Sequence, residues 1–145
     1  MNMLFIKEII FFLISALCFI APSQASSKQV NNIVILESGR NSSPEIEDLN
    51  KRCALFKPTV KQIENFFLKA DLVPRRFGEH ERWSSCYASG TAYFNHFGIA
   101  EWTIRSGGTG SIEWSEDENA YFFHKSNGWF DPTACTYGLG GKGEC

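Results

Sequence analysis

The side chains able to do chemistry in this chain are few and widely spaced. The histidines are His80, His96 and His124. His80 is followed by Glu81, but Ser84 stands where an H-E-x-x-H zinc helix needs its second histidine, so spacing excludes a zincin site. His96 falls at a turn and His124 near the end of a strand-like run. If the chain brings them together beside a carboxylate such as Asp131, they could support the acid–base chemistry of a small hydrolase. Cys86, within Ser84-Ser85-Cys86-Tyr87, is the candidate thiol nucleophile, which a histidine would have to activate. No serine stands in a G-x-S-x-G nucleophile elbow. Against these readings stand three solvated histidines and a bridged Cys86, so no catalytic set is expected.

The acidic residues are more concentrated. Glu113, Glu116, Asp117 and Glu118 surround one turn. A calcium loop needs acidic ligands at alternating positions and a glycine at its sharp bend. This cluster has neither, so no metal or cofactor is expected. It reads as a solvated hairpin tip or as an acidic knob that enters a basic cleft on a partner, as small enzyme inhibitors do. With Arg105 and Tyr121 alongside, it is the candidate partner-binding surface. Gly138, Gly140, Gly141 and Gly143 form a permissive tail pinned by Cys145, and a restrained tail costs less to present to a partner than a free one.

The amino terminus says where such chemistry would take place. Ile9 to Ile20 is apolar apart from Ser15, and Ser23-Gln24-Ala25 supplies a small-x-small site. That is the pattern of a secretory signal peptide cleaved after Ala25, and the run is shorter than the roughly 20 residues of a spanning helix. Lys7 is offset by Glu8, which leaves a retained anchor as one alternative. A lipid-modified Cys18 is another, although Leu17 before it is larger than that processing prefers. The mature chain is expected to be periplasmic or secreted, with no stable membrane span. Lys and Arg total 14 against 16 Asp and Glu, a formal charge of −2, which gives no electrostatic reason to bind nucleic acid or anionic membranes.

After cleavage Cys53, Cys86, Cys135 and Cys145 remain, an even count that implies disulfides in an exported domain. Three pairings are possible, and each bridge is worth on the order of 2–4 kcal/mol. Metal binding would need closer cysteine pairs.

The elements that must position these residues follow from periodicity. Residues 26–50 read as a flexible polar lead-in, with one possible edge strand at Ile33–Leu36 and an N-glycosylation pattern at Asn41-Ser42-Ser43. Thr59-Val60-Lys61-Gln62 has the form of a capping box, and Val60, Ile63, Phe66, Phe67 and Ala70 recur at helical spacing. A helix over 59–70 should lay Phe66 and Phe67 on a sheet. Residues 74–85 are a charged connection, either solvated or facing a partner. From Cys86 onward the chain alternates with period two. Ala88, Gly90 and Ala92 oppose Tyr87, Ser89, Thr91 and Tyr93. Ala100, Trp102 and Ile104 oppose Glu101, Thr103 and Arg105. Ile112 and Trp114 continue the inward face, Ala120–Lys125 forms the next strand, and Asn127-Gly128 leads into a short last strand at Trp129-Phe130. On strand 120–125 Tyr121 and Phe123 oppose Phe122, so both faces are apolar. The expectation is an α+β domain over 51–145, with one helix on a four- to five-stranded antiparallel meander stapled by disulfides.

The segments Trp102–Gly108 (W-T-I-x-S-G-G) and Asn127–Pro132 (N-G-W-x-D-P) resemble small, uncharacterised exported bacterial proteins with a leader, one helix, a short meander and bridging cysteines. The resemblance covers roughly residues 53–145. In size and build the chain is also similar to periplasmic immunity and inhibitor proteins, which block a toxin or a wall-degrading enzyme. That similarity implies a protein partner of toxin or envelope-enzyme type and transfers no functional residue. The expected function is therefore a periplasmic binding or inhibitory protein, with immunity to a secreted antibacterial toxin as its specific form. The alternatives are the small histidine–carboxylate hydrolase and a structural envelope component.

Overall fold

Period-two alternation across the second half of the chain builds a sheet with one apolar face. The computed structural model describes residues 29–134. The expected leader, Cys18, the glycine tail, Cys135 and Cys145 lie outside the described residues. The elements are β1 (Val30–Asn41), α1 (Glu47–Cys53), α2 (Val60–Lys69), β2 (Asp71–Val73), a π-helical turn (Phe77–Glu81), β3 (Cys86–Phe94), β4 (Gly98–Arg105), β5 (Thr109–Ser115) and β6 (Glu118–Phe123). All strand pairs are antiparallel, in the order β1-β3-β4-β5-β6-β2.

The sheet thus has six strands where four or five were expected. The meander β3–β6 is the part read from alternation, and β1 and β2 extend its two edges. Residues 26–50 are not a flexible lead-in throughout: residues 30–41 form a twelve-residue strand and α1 follows. Three register shifts interrupt the β1–β3 ladder. Such bulges break the two-residue period, which is why only Ile33–Leu36 stood out. In the sequon, Asn41 Nδ2 donates to the Ser43 carbonyl and to Asn50 Oδ1 at 2.7 and 3.0 Å. Its amide holds the turn into α1, a role at odds with carrying a glycan.

Helix α2 forms where the capping box placed it. Thr59 Oγ1 accepts from the Gln62 backbone N–H, and Gln62 Oε1 accepts from the Thr59 N–H, satisfying two otherwise orphaned donors at the helix start. Ile63, Phe66, Phe67 and Ala70 are buried, and Val60 is left half exposed. Phe66 rests where β5 has Gly110: a methyl there would come within 2.7 Å of the ring. Phe67 meets Phe94 and Phe122 edge-on, with centroids 5.1 and 5.7 Å apart. Trp102, Ile104 and Ile112 complete the layer between helix and sheet.

The disulfide present among the described residues is Cys53–Cys86, which joins the end of α1 to the start of β3 across 33 residues. Trp129-Phe130 is not a strand. Asn127 Oδ1 accepts from the Trp129 N–H at 3.2 Å, and the Trp129 indole N–H donates to the Ser106 carbonyl at 3.0 Å. Its ring packs against Phe56 and Phe66 at 5.7 and 5.3 Å. The two sequence segments behind the resemblance, 102–108 and 127–132, are therefore packing partners.

Candidate functional site

Helix α2 covers one face of the sheet, and the opposite face carries the candidate site. Register places its side chains in rows. One row is Glu37, Ser89, Thr103, Ser111, Tyr121 and Val73. The next row toward one end holds Arg40, Tyr87 and Arg105. The next row toward the other holds Val34, Thr91, Glu101, Glu113 and Asn119. Successive rows lie about 7 Å apart, two residues of strand rise.

The π-helical turn bends over the first end of this face. Phe77 packs on Phe123 with ring centroids 4.9 Å apart, and the Arg82 guanidinium lies 5.6 Å from the Phe123 ring. The second apolar face of β6 is thus covered at Phe123. Between the turn and the sheet is a cleft of about 390 Å³, lined among others by Trp83, Thr103, Arg105, Ser111 and Tyr121. Arg105 Nη1 donates to Ser42 Oγ and to the Ser84 carbonyl, each at 2.8 Å. Its guanidinium lies 5.7 Å from the Trp83 ring and 5.9 Å from the Tyr87 ring, within cation–π range. Burial pushes the Arg105 guanidinium below the usual arginine value, with Tyr87 acting in the opposite direction. Glu79, on the cleft wall, accepts from Arg75 Nε at 2.6 Å. That hydrogen bond is the main cause that holds Arg75 above the usual arginine value, and the Tyr121 hydroxyl adds to it.

The other end of the face is acidic. Glu101 and Glu113 stand directly opposite each other on β4 and β5, and with Ile99, Trp114 and Glu116 they line a second, shallower depression. Trp114 stacks on Phe97 at 4.2 Å. Glu118 is committed locally, accepting from the Trp114 indole at 2.8 Å and from Ser115 Oγ at 3.1 Å. Glu101, Glu113, Glu116 and Asp117 form no ion pair among the described residues.

Arg105 and Tyr121 therefore share one cleft, Glu113 and Glu116 share the neighbouring depression, and Glu118 braces the β5–β6 turn. Sequence reasoning passed over Trp83, Thr103, Ser111 and Glu101 as site residues. Alternation already placed Glu101 and Thr103 outward beside Arg105. Trp83 lay inside the charged connection, and an indole beside those charges was the signal.

Two of the arrangements considered for catalysis, a Cys86 thiol and a His96–His124 pair, are not formed. Cys86 is bonded to Cys53, so it is not a thiol. His96 lies in the β3–β4 turn, and His124 follows β6 at the far end of β4. The eight residues of β4 span roughly 25 Å, so the two histidines do not meet. Among the described residues, no group of three or more His, Cys, Asp or Glu side chains could hold a metal ion, and no helix is long and apolar enough to cross a membrane. No protein-family model, curated protein or solved structure matches this chain.

Proposed function

We propose that this chain is an exported, periplasmic binding protein of the inhibitor type, acting as the immunity partner of a secreted antibacterial toxin. The observation that carries this reading is the two-ended open face of the sheet. One end presents Arg105 in a cleft walled by an aromatic ring, and the other presents Glu101, Glu113 and Glu116 without counter-charges among the described residues. Fixed charges of opposite sign at the two ends of one surface steer a complementary protein and set its register. A sheet face with α2 packed behind it is a rigid platform, so docking on it orders little chain. The leader-like amino terminus and the Cys53–Cys86 bridge are consistent with an oxidising compartment.

The test has two parts. Amino-terminal analysis of the protein recovered from the cell envelope should give Ser26 as the first residue. Cells lacking the gene should become sensitive to an envelope-acting toxin, and the wild-type gene should restore resistance. Unchanged survival against every such toxin, together with no binding partner, would contradict the proposal.

A further inference from the structure

The cleft beneath the π-helical turn holds a cation that the fold immobilises without neutralising. Arg105 Nη1 is taken up by Ser42 and by the Ser84 carbonyl, and the rings of Trp83 and Tyr87 lie within 6 Å of the guanidinium carbon. Nε and Nη2 have no partner among the described residues. Two carboxylates of the same region are engaged elsewhere: Glu79, on the cleft wall, with Arg75 at 2.6 Å and Glu37, one row away on the sheet, with Arg40 at 3.4 Å. Arginine is the side chain suited to a desolvated, two-pronged bond with a carboxylate, and the chain supplies that carboxylate from none of its described residues. Beside Arg105 the cleft presents the hydroxyls of Thr103, Ser111 and Tyr121, none hydrogen-bonded among the described residues. Trp83 closes one side and keeps 42% of its surface exposed.

We infer that this cleft is a carboxylate-binding site, in which Arg105 Nε and Nη2 grip the two oxygens. The hydroxyls of Thr103 and Ser111 donate to the remaining lone pairs, and the Trp83 ring covers the apolar stem of the ligand. A volume of about 390 Å³ lies at the lower end of the range for small-ligand sites. It suits an acidic side chain with its adjoining peptide units, or the last residues of a chain ending in a free carboxylate. The assignment concerns a site and its ligand class, and it stands whether or not the partner is a toxin.

The test is a nitrogen-15 NMR titration of the mature, oxidised protein, following the Arg105 Nε–H and Trp83 Nε1–H signals. The probes are a glutamate capped at both ends, its capped glutamine counterpart, and an acetylated dialanine with a free or an amidated terminus. The expected result is that at least one carboxylate probe shifts both signals and binds about tenfold tighter than its amide, a difference of about 1.4 kcal/mol. Preference for capped glutamate identifies an acidic side chain as the source, and preference for the free dialanine identifies a chain terminus. Arg105→Gln should abolish the preference, and Arg105→Lys should keep part of it. Because Arg105 also ties Ser42 to Ser84, a Thr103→Val/Ser111→Ala variant leaves those ties in place and should weaken carboxylate binding several-fold. Equal binding of acid and amide probes would overturn the assignment. So would a preference that survives Arg105→Gln, or affinity unchanged in the Thr103→Val/Ser111→Ala variant.

Discussion

At the residue scale the fold depends on a few places where only a small side chain fits. A methyl on Gly90 would overlap the Val34 carbonyl oxygen and come within 2.8 Å of Trp102 Cζ2. The first contact is backbone and cannot move without breaking the β1–β3 ladder. Gly90→Ala should therefore destabilise the protein by about 3 kcal/mol, the upper end of overpacking costs, as read by urea unfolding of the oxidised protein. A loss below about 0.5 kcal/mol would mean that β1 does not lie on β3 as described. The run of small residues Ala88, Gly90 and Ala92 was legible in the sequence as one face. What they make room for was not, because Val34 and Trp102 come from distant parts of the chain. Trp83 was illegible for a related reason. It acquires a role only when the turn at 77–81 folds over β6 and brings it to Arg105.

At the element scale, periodicity was a good guide wherever one element has one buried face. Helix α2 and strands β3 to β6 lie within a few residues of their expected positions, since helical spacing and alternation there are unbroken. The misses share a cause. Strand β1 is bulged, β2 has only three residues, and α1 is a seven-residue helix with one buried residue, so none leaves a full period in the sequence. Trp129 was misassigned because Asn127-Gly128, a hairpin signal, here starts a turn that delivers the indole to Ser106. The motifs that carried the resemblance thus meet in a structural lock between the β4–β5 turn and the chain after β6. The bridge between α1 and β3 makes a prediction at this scale. For a 33-residue separation, chain entropy gives roughly 3–4 kcal/mol. Cys53→Ser/Cys86→Ser should lower stability to denaturant by that amount, and a loss under about 1 kcal/mol would show that packing alone holds α1 on β3.

On the scale of the whole molecule, a near-neutral chain separates its charges across one exposed face. This arrangement has a cost to folding. Like charges directly opposite in an antiparallel pair are destabilising, yet Glu101 faces Glu113. Glu113→Gln should raise stability by about 0.5 kcal/mol while slowing partner association and reducing its salt dependence. A variant that is more stable and associates as fast as wild type would show that the acidic end has no part in binding. The most direct test of the binding-protein account is affinity capture from an envelope extract, comparing the mature, oxidised wild type with Arg105→Gln/Tyr121→Ala and with Glu113→Lys/Glu116→Lys. The account predicts one dominant stoichiometric partner of toxin or enzyme type, held by wild type and lost by both variants, each of which is shown by circular dichroism to be folded at the capture temperature. No partner, or one retained undiminished by both variants, would contradict it.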